Sequence, residues 1–148
     1  CVGGDDAYLI LRGLRSMGVR LQHQQKSTLA ICQWLQQQEQ VSRVLYPALP
    51  EHPGHDIWKR DFGGASSLFT FVIKDRDRQA CGAFLNALQI HGLGYSWGGY
   101  ESLAVMPGFN DRVVDLGPTE GTAIRIQVGL EEVGDLIEDL ERGLAAVR

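Results

Sequence analysis

Apolar residues recur at three- and four-residue steps through the first part of the chain, and no proline interrupts residues 5–40. The spacing predicts one long helix, broken at most once, with an apolar face made of Ile10, Leu14, Met17, Leu21, Thr28, Cys32 and Leu35. We expect Asp5 or Asp6 to cap its start. Gly13 and Gly18 each disfavour a helix interior by about 1 kcal/mol relative to alanine, which indicates close packing or a kink.

Shorter apolar or alternating runs predict strands over residues 41–46, 67–73, 103–106 and 122–128, the second of them central in a sheet. Amphipathic runs predict a short helix over 55–62, a helix that begins near Asp77 and a final helix over 133–147. Residues 108–121 have the composition of a loop. This order predicts a two-layer α+β domain, in which helices cover one face of a mixed or antiparallel sheet.

The last predicted strand places Ile124, Ile126 and Val128 on one face and Arg125 and Gln127 on the other. Arg125 therefore points away from the apolar side of its strand. Its planar guanidinium matches a carboxylate or a phosphate through two parallel hydrogen bonds. An ordinary exposed arginine, or an ion pair with an Asp or Glu, explains the same position, so the strand pattern leaves these alternatives open.

Four glycines occur between residues 92 and 99, around the hydrogen-bond donors Tyr95, Ser96 and Trp97. The aromatic residues distinguish this run from a flexible linker, so we interpret it as a shaped site. The glycine spacing matches neither the dinucleotide-binding fingerprint nor a phosphate-binding Gly-Lys-Ser/Thr loop. Residues 94–98 do read Gly-Tyr-Ser-Trp-Gly, but nothing in the sequence assigns one of the four histidines to Ser96 as its base. The pattern therefore disfavours nucleotide binding and hydrolysis by a serine nucleophile.

Composition narrows the class of protein. The 148 residues are 44% hydrophobic with a net charge of −4, which is typical of one soluble globular domain and gives no electrostatic reason to expect nucleic acid. No apolar run is long enough to span a membrane. Cys1, Cys32 and Cys81 are too widely spaced for a disulfide framework or a metal knuckle, and they favour a reducing compartment. His52 and His55 lie in a turn-rich segment, which favours a surface loop over a metal site.

Three separated segments carry a family resemblance: Asp6–Arg15 (DAYLILRGLR), Tyr95–Ser102 (YSWGGYES) and Ile124–Glu131 (IRIQVGLE). Together they resemble the C-terminal part of the pyridoxal-phosphate-dependent enzymes of cysteine and methionine metabolism, and the resemblance extends over essentially the whole chain. The Tyr-Ser-Trp triplet resembles the cystathionine β-lyase branch of that family more than its γ-synthase and γ-lyase branches.

The resemblance implies the small C-terminal domain of the aspartate-aminotransferase-like (type I) fold. Residues 1–40 would form a long helix that links to a large cofactor domain, and residues 41–148 would form the α+β domain that binds the carboxylate of the substrate. It also implies a cytoplasmic homo-oligomer, because complete family members are tetramers built from dimers. Since Cys1 is not an initiator methionine, we expect a processed or truncated chain, or a piece of a longer one.

Single residues acquire roles through the same resemblance. Arg125, with the Ser96–Trp97 backbone beside it, matches the clamp for the α-carboxylate of the substrate. Tyr95 and Trp97 match residues that line the substrate pocket, and Ser96 matches a hydroxyl near the cofactor lysine. Tyr8 matches a tyrosine at the pocket edge. The implied reaction is the cleavage of cystathionine to homocysteine, pyruvate and ammonia with pyridoxal phosphate as the cofactor.

The lysine that carries the cofactor belongs, in the family, to the large domain that precedes this region. Lys26, Lys59 and Lys74 do not match it, so we expect this chain alone to be inactive, with no catalytic residue of its own. Two alternatives remain open. The chain could be a stand-alone module that binds an amino acid through Arg125 without chemistry, or a structural fragment whose pocket is unformed without its partner.

Overall fold

The computed structural model describes residues 2–109, 113 and 117–147. Its helices are α1 (Gly4–Leu35), α2 (His55–Asp61), α3 (Arg78–Ala87) and α4 (Val133–Ala146). Its strands are β1 (Val41–Leu45), β2 (Leu68–Lys74), β3 (Gly92–Leu93), β4 (Leu103–Val105) and β5 (Gly121–Gln127). The predicted helices and strands are confirmed to within a few residues. Part of the predicted loop over 108–121 lies outside the described residues.

The five strands form one mixed sheet in the order β1–β2–β5–β4–β3. β5 pairs antiparallel with β2 on one side and with β4 on the other, while β3 runs parallel to β4 at the edge. The α+β class and the mixed sheet are therefore confirmed. The predicted strand at 67–73 is interior, as expected, but the middle position belongs to β5, which carries Arg125.

The core lies where the sheet meets α3, α4 and the second half of α1. Phe69 and Phe71 on β2 stand opposite Ile126 and Ile124 on β5, so one face of the two strands presents a continuous apolar surface. The ring of Phe84 on α3 packs against Phe71 at 5.7 Å between centroids, in an edge-to-face arrangement. Alternation of apolar positions along β2 and β5 thus produces the surface that the helices cover.

α1 continues without interruption for 32 residues. Its N-cap is Gly3 with no side-chain hydrogen bond, so the predicted cap by Asp5 or Asp6 is wrong, and both carboxylates lie in the first turn instead. There they favour the helix through its dipole. A Cβ added at Gly13 or Gly18 would meet nothing within 4 Å, so among the described residues neither glycine serves close packing, and the helix runs through both.

Only the second half of α1 packs on the domain. Its buried residues are Gln24, Ser27, Thr28, Ile31, Cys32 and Leu35. The first half of the predicted apolar face is exposed instead, at Ile10, Leu14, Met17 and Leu21. The helical period is correct, but the sequence pattern does not indicate where along the helix the sheet begins to cover it.

Candidate functional site

Arg125 lies on the central strand, opposite Thr70 of β2 and Val105 of β4. Its Nη2 donates a hydrogen bond to the Tyr95 carbonyl oxygen at 2.6 Å. The guanidinium carbon also lies 5.8 Å from the centroid of the Tyr95 ring, within the range of a cation–π contact. The structure therefore brings Arg125 and the glycine-rich run together, although they are 30 residues apart in the sequence.

No described carboxylate neutralises Arg125. Ion pairs among the described residues join Arg43 to Glu120, Arg60 to Asp61, and Arg142 to Asp139. Arg125 is only partly buried and uses one of its five N–H groups for Tyr95. The side chain thus presents a fixed cation with unused donors, which is the arrangement that recognises a carboxylate.

Aromatic side chains stand exposed on the loop that leads from β3 to β4. Tyr95, Trp97 and Tyr100 are 73%, 66% and 69% exposed, and Ser96 between the first two is exposed as well. Large rings of this kind combine apolar area with a polar group and are enriched where proteins contact ligands or partners. The structure therefore places Tyr95, Ser96 and Trp97 in one accessible loop beside Arg125.

The far end of this loop is fixed by Glu131. Its two carboxylate oxygens accept hydrogen bonds from the backbone N–H and the hydroxyl of Ser102, both at 2.8 Å. The Ser102 hydroxyl oxygen in turn accepts a bond from Gly129 N–H at 2.8 Å. A Cβ at Gly129 would overlap the Tyr100 carbonyl oxygen, so the loop approaches the end of β5 as closely as only glycine permits.

The segment that leads into β3 is fixed by the buried carboxylate of Asp139 on α4. It accepts hydrogen bonds from three consecutive backbone N–H groups, those of residues 89–91, and from Nδ1–H of the His91 ring. Burial opposes its ionisation, but these hydrogen bonds outweigh burial and lower the pKa of Asp139 to about 2. Burial lowers the pKa of His91, so the ring is neutral at physiological pH.

Sequence reasoning missed the residues that hold the loop in place. Ser102 and Glu131 belong to the segments that carry the family resemblance, and that was the available signal for them. Asp139 and His91 gave no signal, because they are 48 residues apart in the chain and meet only after α4 packs on α3.

Tyr8 is exposed on the first half of α1. It lies about 24 Å along the helix from Gln24, the position at which α1 contacts the loop, at about 1.5 Å per residue. The structure therefore does not bring Tyr8 to Arg125 within this chain, and its role at a pocket edge stays a prediction. His52 Nδ1 accepts a hydrogen bond from Gly54 N–H, and the described residues contain no group of three or more metal-ligating side chains.

Comparison with known proteins identifies the family. The family model described as Cys/Met metabolism PLP-dependent enzyme matches residues 1–145. The chain belongs to this family. A protein of Rhizobium johnstonii named "Putative cystathionine beta-lyase" is 54% identical over 99% of the chain, and the cystathionine beta-lyase MetC of Escherichia coli is 42% identical over 99%. The fold and the cofactor class implied by the resemblance are thereby confirmed.

A solved structure of O-acetylhomoserine sulfhydrylase of Wolinella succinogenes shares the fold, with a TM-score of 0.82 and 28% identity over 96% of the chain. The chain spans 38% of the length of each of these three proteins. Among the described residues, no helix is both long and apolar enough to cross a membrane.

The residues around Arg125 are suited to bind the carboxylate of an amino-acid substrate of a pyridoxal-phosphate enzyme, and they are not suited to bind the cofactor itself. They offer a cation, backbone groups and aromatic rings, which suit the carboxylate of an amino acid. Lys26 lies exposed on α1, Lys59 on α2, and Lys74 at the end of β2, where it pairs with Gly121, four residues along β5 from Arg125. The loop between β3 and β4 therefore contains no amine that could attach the cofactor.

Proposed function

We propose that this chain is the C-terminal, substrate-carboxylate-binding domain of a pyridoxal-phosphate-dependent carbon–sulfur β-lyase that cleaves cystathionine to homocysteine, pyruvate and ammonia. The observation that carries the proposal is the Arg125 guanidinium, which no carboxylate of the described residues neutralises and which the Tyr95 carbonyl holds beside the exposed loop. The family supports the cofactor class. The Tyr-Ser-Trp triplet and the names of the two relatives reported above favour the β-lyase.

In this proposal Arg125 binds the α-carboxylate. The hydrogen bond to Tyr95 orients its planar fork, and the remaining N–H groups donate to the two carboxylate oxygens. Tyr95 and Trp97 line the pocket and exclude water, which strengthens the pairing because the effective dielectric constant falls. Ser96 places its hydroxyl toward the cofactor. Pyridoxal phosphate, when bound, supplies the sink for the electrons released at the α-carbon of the substrate.

The cofactor lysine lies, in our proposal, in a large domain outside this chain, and α1 links the two. The exposed apolar residues on the first half of α1 support this arrangement, because a helix that is apolar in this way is normally covered. We therefore expect the isolated chain to be inactive. We also propose that the complete enzyme is a cytoplasmic homo-oligomer.

The test uses the ¹⁵N-labelled 148-residue chain, titrated with L-cystathionine while the Arg125 Nε–H resonance is followed. We expect saturable binding that the dimethyl ester of cystathionine does not reproduce. Arg125→Ala should weaken binding at least about 10-fold, since a hydrogen bond to a charged group contributes about 1.5–3 kcal/mol. The matched control is Arg43→Ala, which removes an arginine from the edge strand β1. Equal affinity of acid and ester, or an unchanged affinity in Arg125→Ala, would refute the carboxylate site.

A second measurement addresses the missing lysine. The chain is incubated with pyridoxal phosphate and cystathionine, and pyruvate is followed; intact mass is then recorded after borohydride reduction. We expect no pyruvate and no stoichiometric adduct. A stoichiometric adduct on Lys26, Lys59 or Lys74 together with pyruvate release would show that the chain carries its own catalytic lysine. Binding that persists without turnover when a large domain is supplied would instead favour the stand-alone binding module.

A further inference from the structure

Two buried glutamines lie beneath the Gly98–Gly99 turn of the exposed loop. Gln127 is the last residue of β5 and Gln24 belongs to α1, and each is 1% exposed. Neither side chain is charged, and neither belongs to the set of residues that contact a substrate in the proposed function. A buried amide must find partners for its donors and acceptors, so the contacts of these two side chains constrain the structure around them.

The amide of Gln127 uses all four of its hydrogen-bonding positions. Its Oε1 accepts from Gly98 N–H at 2.9 Å and from the Ser67 hydroxyl at 2.8 Å. Its Nε2 donates to the carbonyl oxygens of Val128 at 2.8 Å and Gly99 at 3.4 Å. The orientation of the amide follows from the Gly98 N–H group, which can only donate.

Gln24 reaches the same two carbonyl groups from the other side. Its Nε2 donates to the Gly99 oxygen at 2.8 Å and to the Val128 oxygen at 3.0 Å. The Gly99 carbonyl is therefore shared between a side chain on α1 and a side chain on β5. Because each buried polar group left without a partner costs about 1–3 kcal/mol, this network favours a single position of the turn relative to both elements.

The turn is also conformationally specific. Gly98 has a φ of 78°, a left-handed conformation that disfavours other residues, and nothing lies within 4 Å of a Cβ added there. The glycine thus serves the path of the backbone rather than close packing. The carbonyl of Tyr95 holds Arg125, and Gly98 lies only three residues after Tyr95. On β5, Gln127 lies two residues after Arg125.

We propose that Gln24 and Gln127 are positioning residues for the carboxylate site: together they hold the Gly98–Gly99 turn, and with it the Tyr95 carbonyl, in register with Arg125. This inference rests on the proposed function for the identity of the ligand. Since Gln24 belongs to the same continuous helix as the exposed first half of α1, a displacement of α1 along its axis moves the donor that holds Gly99. The carboxylate site is thereby coupled to whatever α1 contacts.

The decisive variant is Gln24→Met, which has nearly the same volume but no amide. It touches neither Arg125 nor Gly98 N–H directly, so an effect there must pass through the turn. We expect hydrogen exchange at Gly98 N–H to accelerate at least about 10-fold more than exchange in β2, and the affinity for cystathionine to fall at least about 5-fold. Gln127→Met should have the same two effects, because it removes the oxygen that accepts the hydrogen bond from Gly98 N–H. Gln33→Met, an exposed position on α1, is the matched control and should change neither quantity.

A merely structural role predicts something different. In that case Gln24→Met would accelerate exchange at Gly98 and in β2 by the same factor and leave the affinity unchanged in the folded fraction, and our inference would be overturned. If a variant does not fold, the inference is tested instead on the wild-type chain by titration with cystathionine. The side-chain amide resonances of Gln24 and Gln127 should then shift with cystathionine along the same isotherm as Arg125 Nε–H, while that of Gln33 stays fixed. Stationary resonances for both glutamines would overturn the inference.

The two proposals fail separately. If cystathionine does not bind to the wild-type chain and Arg125→Ala behaves like the wild type, the proposed function is wrong. Exchange at Gly98 N–H needs no ligand, so it still decides whether Gln24 and α1 position the turn.

Discussion

Neutralising Asp139 should strongly destabilise the chain. Asp139→Asn keeps the size of the side chain but leaves one acceptor oxygen where the carboxylate has two. One oxygen accepts from Gln89 N–H and Arg142, and the other accepts from the backbone N–H groups of Ile90 and His91 and from the His91 ring. In either orientation the new NH₂ group faces at least one backbone N–H donor that is buried or partly buried, and this donor loses its acceptor.

The size of the effect follows from two contributions. Each unpaired buried donor costs about 1–3 kcal/mol. The charge contributes as well: with a pKa of about 2 in the folded chain, against about 3.9 for an unfolded Asp, the carboxylate stabilises the fold by roughly 2–3 kcal/mol at neutral pH. Because the hydrogen bonds that lower the pKa are the same ones that the variant loses, the two contributions overlap, and we expect a loss of about 2–3 kcal/mol.

Urea unfolding followed by far-UV circular dichroism measures the loss, with Glu138→Gln on the exposed side of α4 as the control for a lost negative charge. The pH dependence gives a second check. Because the pKa of Asp139 is lower in the folded chain than in the unfolded chain, this stabilisation is complete above about pH 5 and is lost as the pH falls toward 2. The free energy of unfolding of the variant should therefore decrease less steeply over this pH range than that of the wild type. A loss below about 1 kcal/mol, or an acid slope equal to that of the wild type, would refute the reasoning.

Three further predictions concern stability. Gly13→Ala and Gly18→Ala should each raise the helicity of α1 by circular dichroism and stabilise it by up to about 1 kcal/mol, because a Cβ at either position meets open space; lower helicity would contradict this. Since burial lowers the pKa of His91, the free energy of unfolding should fall as the pH drops from about 7.5 to 5, and a flat profile there would contradict a buried neutral ring. Gly129→Ala should cost several kcal/mol in a thermal melt, because its Cβ overlaps the Tyr100 carbonyl, and near-wild-type melting would show that the contact relaxes freely.

Much of the fold could be predicted because apolar and polar residues recur along the sequence at the period of a strand or of a helix. β5 alternates apolar and polar residues, and α4 repeats them at helical spacing, so both follow from nearest neighbours in the sequence. Arg125 could be singled out for the same reason. The exposed first half of α1 could not, because the period of a helix does not indicate which turns are covered.

The polar network that shapes the site lay beyond sequence reasoning. Gln24 bonds to residues 75 and 104 positions away, and Asp139 bonds to a backbone N–H 50 positions away. Uncharged glutamines on a helix or a strand are common on surfaces, so their residue type does not indicate burial. Only the packed arrangement of α1, α4 and the sheet shows that these side chains hold the loop.

The strand order has a consequence for how the protein is made. β5, the middle strand, is synthesised after the other four, and β2 and β4 both wait for it to complete the sheet. Until residue 127 has been added, the apolar edge of β2 at Phe69, Phe71 and Ile73 has no partner on that side. An unpaired edge of this kind can template aggregation, so a nascent chain that still lacks β5 exposes an aggregation-prone strand.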